Sequence, residues 1–314
     1  MPYNKPMEKV LRYQITEMEK DCTVGQILKK QLGLSKKEIS RAKFREDGIL
    51  LDGVRRRVAD PVRPGALLEI RLESEDQSSR KLVPEEGVLT VCYEDEDVIV
   101  VDKPGGILVH PAGAHFSDTL ANRLEDYFQK KGEPAVIRPI GRLDKDTAGL
   151  VLFAKNRAAA ARLSAQRERG ELKKTYLALV QGVPEPLEGW IRAPIGKASD
   201  SPLRMEIRED GRPARTYYRV LEILDGASLV QAQIQTGRTH QIRVHMAWIG
   251  HPLLGDPLYQ PDFKQKKAPG EEPSDMALWA WRLTFLQPFS GRRVSLESAE
   301  ISGVRNQIQT FRKH

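Results

Sequence analysis

The chain has 314 residues, 50 of them Lys or Arg against 43 Asp or Glu, giving a formal net charge of +7 and a pI near 9.3. A hydrophobic fraction of 40% supports a sizeable core and argues against wholesale disorder, and a prior of about 150 residues per domain suggests two domains. The longest apolar runs, Val98 to Val101 and Leu150 to Ala154, are too short to span a bilayer as a helix. Met1 to Tyr13 lacks the apolar stretch of a secretory signal, and two cysteines, Cys22 and Cys92, build neither a disulfide framework nor a four-thiolate zinc site. The expectation is a soluble, cytoplasmic protein, with a polyanionic partner suggested by the charge.

In chain order, residues 1–72 read as a small α/β module. Thr23 caps a helix with Val24, Ile27, Leu28 and Leu32 at helical spacing, and Gly33 stops it. Ser35 to Glu38 forms a capping box for a second helix carrying Lys36, Lys37, Arg41 and Lys43. Asp47-Gly48 and Asp52-Gly53 turn on either side of a strand at Ile49 to Leu51, and Pro64-Gly65 leads into a last strand, Ala66 to Leu72. Between Cys22 and Leu72 stand twelve basic residues, Arg55, Arg56 and Arg57 among them, against six acidic ones. Such a field suits phosphate backbones; a solvated charged face is the other reading.

Residues 73–86 are rich in Ser, Gln and charge and read as a linker. Residues 87–314 then alternate short strand-like runs with helices. Strands are expected at Val98–Val101, Leu150–Ala154, Thr175–Val180, Thr216–Ile223, Ser228–Gln235 and Leu278–Phe285, and helices at Asp118 to Lys130 and Asn156 to Arg169. Segregated helices beside runs of strands favour an α+β domain with a mostly antiparallel mixed sheet. Lys264 to Asp275 has no periodicity and reads as an exposed loop. There is no internal repeat.

Two segments could carry chemistry. In Arg138 to Leu150, Asp144 and Asp146 sit in a turn-like stretch among cations that keep a carboxylate ionised, as a nucleophile or base requires. A surface Asx turn with casual ion pairs fits the same residues. The second segment, Gln235 to His245, is followed by Gly250-His251-Pro252 and Gly255-Asp256. His240 and His245 are five apart, diverging on a helix and opposed on a strand, which disfavours a metal site. Arg238 and Arg243 suit phosphates or a buried carboxylate. Lys103-Pro104-Gly105-Gly106 lacks the ending of a nucleotide-binding loop, and no dinucleotide fingerprint occurs, so no cofactor is expected.

At these residues the chain resembles the RluA/RluD-type pseudouridine synthases. The resemblance covers about residues 87–300 in five ordered motifs. They are Glu94 through Lys103-Pro104 to Val109-His110-Pro111, Gly141 to Leu150, Lys174 to Ala178, Gly237 to His245, and Gly250 to Tyr259. The leading module is similar to the RNA-binding domain of the ribosomal-protein-S-four type. The resemblance implies isomerisation of uridine in structured RNA, ribosomal more than transfer RNA, by a monomer without membrane, metal or obligate protein partner. It implies Asp144 as the catalytic carboxylate, attacking C1′ or taking a proton from C2′, and Arg238 as the cation that pairs with it. Tyr176 stacks under the base and accepts the C5 proton, a core strand tyrosine being the alternative, and Arg142 fills the gap left by the extruded nucleotide. RNA contacts are expected from His110, Lys174, Thr239, His240 and Arg243, besides the basic residues of the leading module. Gly141, Ala148 and Trp279 depart from the family pattern, where His, Ser and His are common. A non-catalytic RNA-binding protein that keeps the fold is the competing class. A hydrolase using Asp144 and Asp146 together is disfavoured, because carboxylates two residues apart on one strand are too similarly placed to flank a bond.

Overall fold

The computed structural model describes residues 9–72, 82–112, 116–133, 135–260, 276–299 and 308. The expected loop at Lys264 to Asp275 lies outside them, as do residues 73–81 of the expected linker. The chain divides into two compact units, residues 1–81 with 156–162, and residues 82–155 with 163–314.

In the first unit, β1 (Lys9–Gln14), β2 (Ile49–Leu51), β3 (Val54–Arg55) and β4 (Leu67–Leu72) form an antiparallel sheet in the order β1-β4-β2-β3, with α1 (Val24–Lys30) and α2 (Lys36–Lys43) between β1 and β2 in sequence. Both helices start where the sequence says they should. Thr23 exchanges backbone–side-chain bonds with Gln26, and Ser35 does so with Glu38, so two otherwise orphaned amides are satisfied at each end. Asp52 (φ +50°) and Gly53 (φ +76°) make the β2–β3 turn, a left-handed pair suited to a two-residue hairpin. Val24, Ile27, Leu28, Ile39, Leu68 and Ile70 are buried, which leaves the charged residues outside. Strand β1 was not anticipated from the sequence.

The second unit is built on one large sheet, with strands β5 (Thr90–Glu94), β6 (Val98–Lys103), β7 (Arg138–Pro139), β8 (Ala148–Ala154), β9 (Lys173–Gln181), β10 (Glu188–Ile191), β13 (Thr216–Leu224), β14 (Ala227–Ile234), β15 (Leu278–Leu286) and β16 (Arg293–Glu297). Its main order is β10-β13-β14-β9-β15-β8-β6-β5, and β11 (Ile195–Lys197) and β12 (Met205–Ile207) form a separate hairpin. Every pairing is antiparallel except β8 with β15, so the α+β, mostly antiparallel mixed sheet expected from the sequence is what forms. Helices α3 (Leu120–Lys131) and α5 (Gln241–Trp248) belong to this unit, as does the part of α4 (Arg157–Glu168) from Leu163 onward. Strand alternation sorts the side chains by face. Tyr176, Ala178 and Val180 join Leu124 and Phe128 of α3 and Ile242 and Met246 of α5 in the main core, while Leu177 and Leu179 pack with Trp279 on the other face. Residues 82–86 have no regular structure but bond to α3, where Asn122 donates to the Val83 carbonyl and accepts from the Glu85 amide.

The parallel splice depends on Gly149, whose φ is +107° and whose added Cβ would stand 2.7 Å from the Ala280 amide nitrogen. Gly149→Ala therefore combines a disfavoured backbone with overpacking. Its expected cost is about 2–5 kcal/mol, read as a lowered urea midpoint with an unchanged m-value.

Candidate active site

Asp144 lies in the loop that enters β8, not on a strand. The loop closes when the Thr147 amide donates to the Asp144 carbonyl at 3.2 Å, and buried Leu143 and Thr147 anchor it on either side. From beneath, the fully buried Lys103 at the end of β6 fastens it. The Lys103 ammonium donates to the carbonyls of Pro104, Ile107 and Lys145, all within 2.9 Å. Gly105 allows the same β6 loop to approach closely, since its Cβ position is 3.3 Å from the Asp146 carbonyl. Burial pulls the Lys103 ammonium down to about 8, against the upward pull of the Asp146 and Asp144 charges.

Helix α5 brings the cation. Its entry is held by buried Gln241, which accepts from the Arg238 amide and Thr236 hydroxyl and donates to the Arg215 carbonyl and Thr216 hydroxyl. His240 caps the helix with a left-handed backbone, φ +56°. Two residues inside, Arg243 is 3% exposed and makes a bidentate pair with fully buried Asp256, both bonds at 2.7 Å. The third nitrogen of the guanidinium, Nη1, lies 3.9 Å from Asp144 Oδ2. Asp256 is fixed in turn by the Leu258 and Tyr259 amides. Desolvation pulls Arg243 down, and the bond to Asp256 more than offsets it, so the group stays charged.

This arrangement corrects one expectation. The cation beside Asp144 is Arg243, not Arg238. Arg238 precedes the helix and turns its Nε to the Pro213 carbonyl at 3.0 Å. Position 243 faces the core from the first turn of α5, and position 238 does not. The two aspartates likewise differ from the one-strand picture, since Asp144 and Asp146 belong to the loop before β8.

Tyr176 is 5% exposed on β9, facing the α5 side of the sheet, and its phenol pKa is raised by burial first and by the Asp144 charge second. It lies in the main core, within electrostatic reach of Asp144. His240 Nδ1 accepts from the Tyr259 hydroxyl at 2.9 Å, and that hydroxyl accepts from the Met205 amide. Burial lowers the His240 pKa and keeps the ring neutral. His245 takes no part as a metal ligand. Its Nε2 donates to the Ala193 carbonyl and its Nδ1 accepts from the Thr216 hydroxyl, so both ring nitrogens are used. Arg142 and Thr239 are exposed near the site in sequence. His110 is exposed beside the Pro111 carbonyl, and Lys174 is half-buried with its Nζ 3.4 Å from the Leu150 carbonyl. In the first unit, Lys36, Lys37 and Lys43 are exposed on α2 with Arg41 half-buried, and Arg55, Arg56 and Arg57 are exposed on the hairpin. Arg55 donates to the Lys43 carbonyl, which joins the hairpin to the end of α2.

Sequence reasoning gave no site role to Lys103, Asp256 or Tyr259. The available signals were a lysine ending an otherwise apolar strand and an acid directly after a glycine.

Residues 97–248 match the family model of RNA pseudouridylate synthases. The chain is 36% identical over 260 residues to an uncharacterised RNA pseudouridine synthase, YjbO, of Bacillus subtilis, covering 83% of this chain and 89% of that protein. It is 34% identical over 304 residues to the ribosomal large subunit pseudouridine synthase D of Xanthomonas campestris, covering 93% of this chain and 89% of that one. Among solved structures, human RNA pseudouridylate synthase domain containing 1 superposes with a TM-score of 0.56 at 25% identity, over 73% of this chain and 98% of that one. With a sheet of the same class, a family match that spans the Asp144 loop and helix α5, and relatives alike over most of their length, the chain belongs to the RNA pseudouridine synthases.

Proposed function

We propose that this protein converts specific uridines of structured ribosomal RNA to pseudouridine, with Asp144 as the catalytic carboxylate. The observation that carries the reading is a partly exposed Asp144, 29% accessible, beside a buried and permanently charged Arg243 at 3.9 Å, with Tyr176 on the strand below. In the reaction the N1–C1′ bond breaks and the base leaves as an anion. The carboxylate meets the electron-poor sugar, either bonding C1′ or taking the C2′ proton. The base turns and C5 bonds C1′ as the carboxylate leaves C1′, or returns its proton to C2′ in the alternative route; the C5 proton departs and N1 gains one, so the product is an isomer. Arg243 orients Asp144 from 3.9 Å and places a countercharge beside it. Tyr176 stacks under the base, and burial together with the Asp144 charge raises its phenol pKa, which disfavours the phenolate that would take the C5 proton. Arg142, exposed in the same loop, fills the place of the extruded nucleotide at a cost of a few kcal/mol for flipping. Thr239, His240, His110 and Lys174 complete the RNA contacts, and Arg238 serves as a phosphate contact. We further infer a monomer that acts in the cytoplasm and needs no cofactor. The Xanthomonas relative's name supports the ribosomal large subunit as the source of the RNA.

Residues 1–72 form, in this reading, an RNA-binding module of the ribosomal-protein-S-four type, with 73–86 as linker and 87–314 as catalytic domain. Replacing Arg55, Arg56 and Arg57 by Gln is expected to flatten the slope of log affinity against log salt by up to about 2–3; an unchanged slope would remove these arginines from the RNA. The test of the whole reading is incubation with large-subunit ribosomal RNA transcript carrying C5-tritiated uridine. Tritium release with formation of pseudouridine is expected, and transfer RNA is expected to be the poorer substrate.

Lys103 predicts a pH profile. As its ammonium deprotonates near 8, one of three donors to the loop carbonyls is lost, and turnover is expected to fall with an apparent pKa of about 8. Its folded value lies below its ordinary one, so between about 8 and 10.5 the unfolded chain holds the extra proton. Deprotonation of this group then favours folding as pH rises. The alkaline loss should appear in kcat at pH 8–9 with the circular dichroism still native, and should persist in Lys174→Arg.

A further inference from the structure

Away from the Asp144 loop, the second unit carries a cleft of about 470 Å³ lined by Glu185, Trp190, Arg192, Tyr218, Trp248 and His251, a volume within the range of small-ligand sites. Its two tryptophans are 41% and 57% exposed, whereas Trp279 is buried. Trp190 is backed by the Tyr217 ring at 5.4 Å and covered by the Arg192 guanidinium, 5.6 Å from its centroid. The ring of Trp248 meets no other ring or cation among the described residues. Large exposed indoles are costly unless something stacks on them. A flat ring joined to an anion is what two indoles, an arginine and a histidine in one cleft are suited to hold. The Glu185 carboxylate opposes a phosphate but accepts hydrogen bonds from a base edge.

The cleft is tied to the candidate catalytic loop by α5. Trp248 ends the helix that carries Arg243, five residues and about 8 Å of rise away. From the same helix His245 bonds the Ala193 carbonyl, next in sequence to Arg192.

We propose that this cleft is a stacking site for an unpaired nucleotide of the RNA, separate from the place of the reacting uridine. The base lies against Trp248, its edge donates to Glu185 and to the Nε2 of His251, whose Nδ1 is held by the Gln181 carbonyl at 2.8 Å, and its phosphate meets Arg192. The site rests on the reading of RNA as substrate and adds a second point of grip on the same strand, rigidly spaced from Asp144 by one helix.

The test uses a twelve-nucleotide oligoadenylate, which holds no uridine and so reports on the cleft independently of the chemistry. Trp190→Ala with Trp248→Ala is expected to weaken its binding by roughly fivefold or more per stacked base. Trp190→Phe with Trp248→Phe should retain most of the affinity while losing the quenching of indole fluorescence that oligoadenylate causes in the unaltered protein. On uridine-containing RNA the alanine pair should raise KM and leave kcat in place. Should the alanine pair melt early, Arg192→Gln and the fluorescence quenching of the unaltered protein carry the test. Unchanged oligoadenylate affinity in a folded alanine pair, or no quenching in the unaltered protein, overturns the proposal, and a protein segment would then be the better occupant. Failure of tritium release from uridine RNA with the cleft effects intact would instead count against the role of Asp144.

Discussion

Asp144→Asn is expected to abolish isomerisation, lowering turnover by at least about 10⁴-fold, while RNA affinity changes by less than about threefold. The size of the effect follows from the loss of an anion at the reacting sugar, for which a neutral amide of the same shape has no substitute. The survival of binding and folding follows from the geometry. Asp144 is partly exposed and its ion contact to Arg243 is 3.9 Å long, so removing its charge costs about 0.2–1 kcal/mol at most. Arg243 keeps its bidentate partner Asp256 and is not left alone. Pseudouridine is measured after digestion of the RNA, with affinity and melting temperature on the same preparation. Turnover within tenfold of the unaltered protein would take Asp144 out of its role. Loss of turnover together with loss of binding would make it a structural residue. The same pair of measurements separates an isomerase from a non-catalytic RNA-binding protein that keeps the fold.

What could be read from the sequence is what local chemistry decides. The capping boxes at Thr23 and Ser35 are complete within four residues, and both helices begin there. The buried strands β6 and β8 are short apolar runs, and both form, each extended by two residues at one end. Helix α5 was hidden for a physical reason. Six consecutive residues, Gln241 to Met246, are all buried, Arg243 and His245 among them, so no apolar stripe marks its inner face. The polar residues are inside because each has a partner: Asp256 for Arg243, Thr216 and Ala193 for His245. Such partners are distant in sequence, and no spacing rule reaches them. The same blindness produced the exchange of Arg238 for Arg243, since the two look equivalent until the helix start at Gln241 divides them. Lys103 was missed because a buried lysine is satisfied by backbone carbonyls, which carry no residue signature. Strands β11 and β12, three residues each, are too short for alternation to register.

The second large effect concerns the pair behind Asp144. Arg243→Met is expected to destabilise the protein by about 3–5 kcal/mol, because Asp256 is fully buried and would be left without its countercharge. Asp256→Leu should cost a similar amount by stranding the guanidinium. When both partners are replaced by apolar residues of comparable size, the two desolvation penalties disappear together, so the double variant is expected to recover most of that stability. Two amides, those of Leu258 and Tyr259, lose their acceptor in the double variant, which limits the recovery. Activity should follow a different course. Without a guanidinium beside it, Asp144 loses the countercharge that orients it, so the folded double variant is expected to remain at least about 10³-fold impaired. Arg238→Met, whose Nε meets only the Pro213 carbonyl, should leave stability within about 1 kcal/mol and alter KM more than kcat. Urea unfolding and turnover on the four variants give two free-energy cycles for one ion pair. A double variant that regained both stability and turnover would make the pair purely architectural. Loss of turnover in Arg238→Met equal to that of the folded double variant would return the orienting role to Arg238.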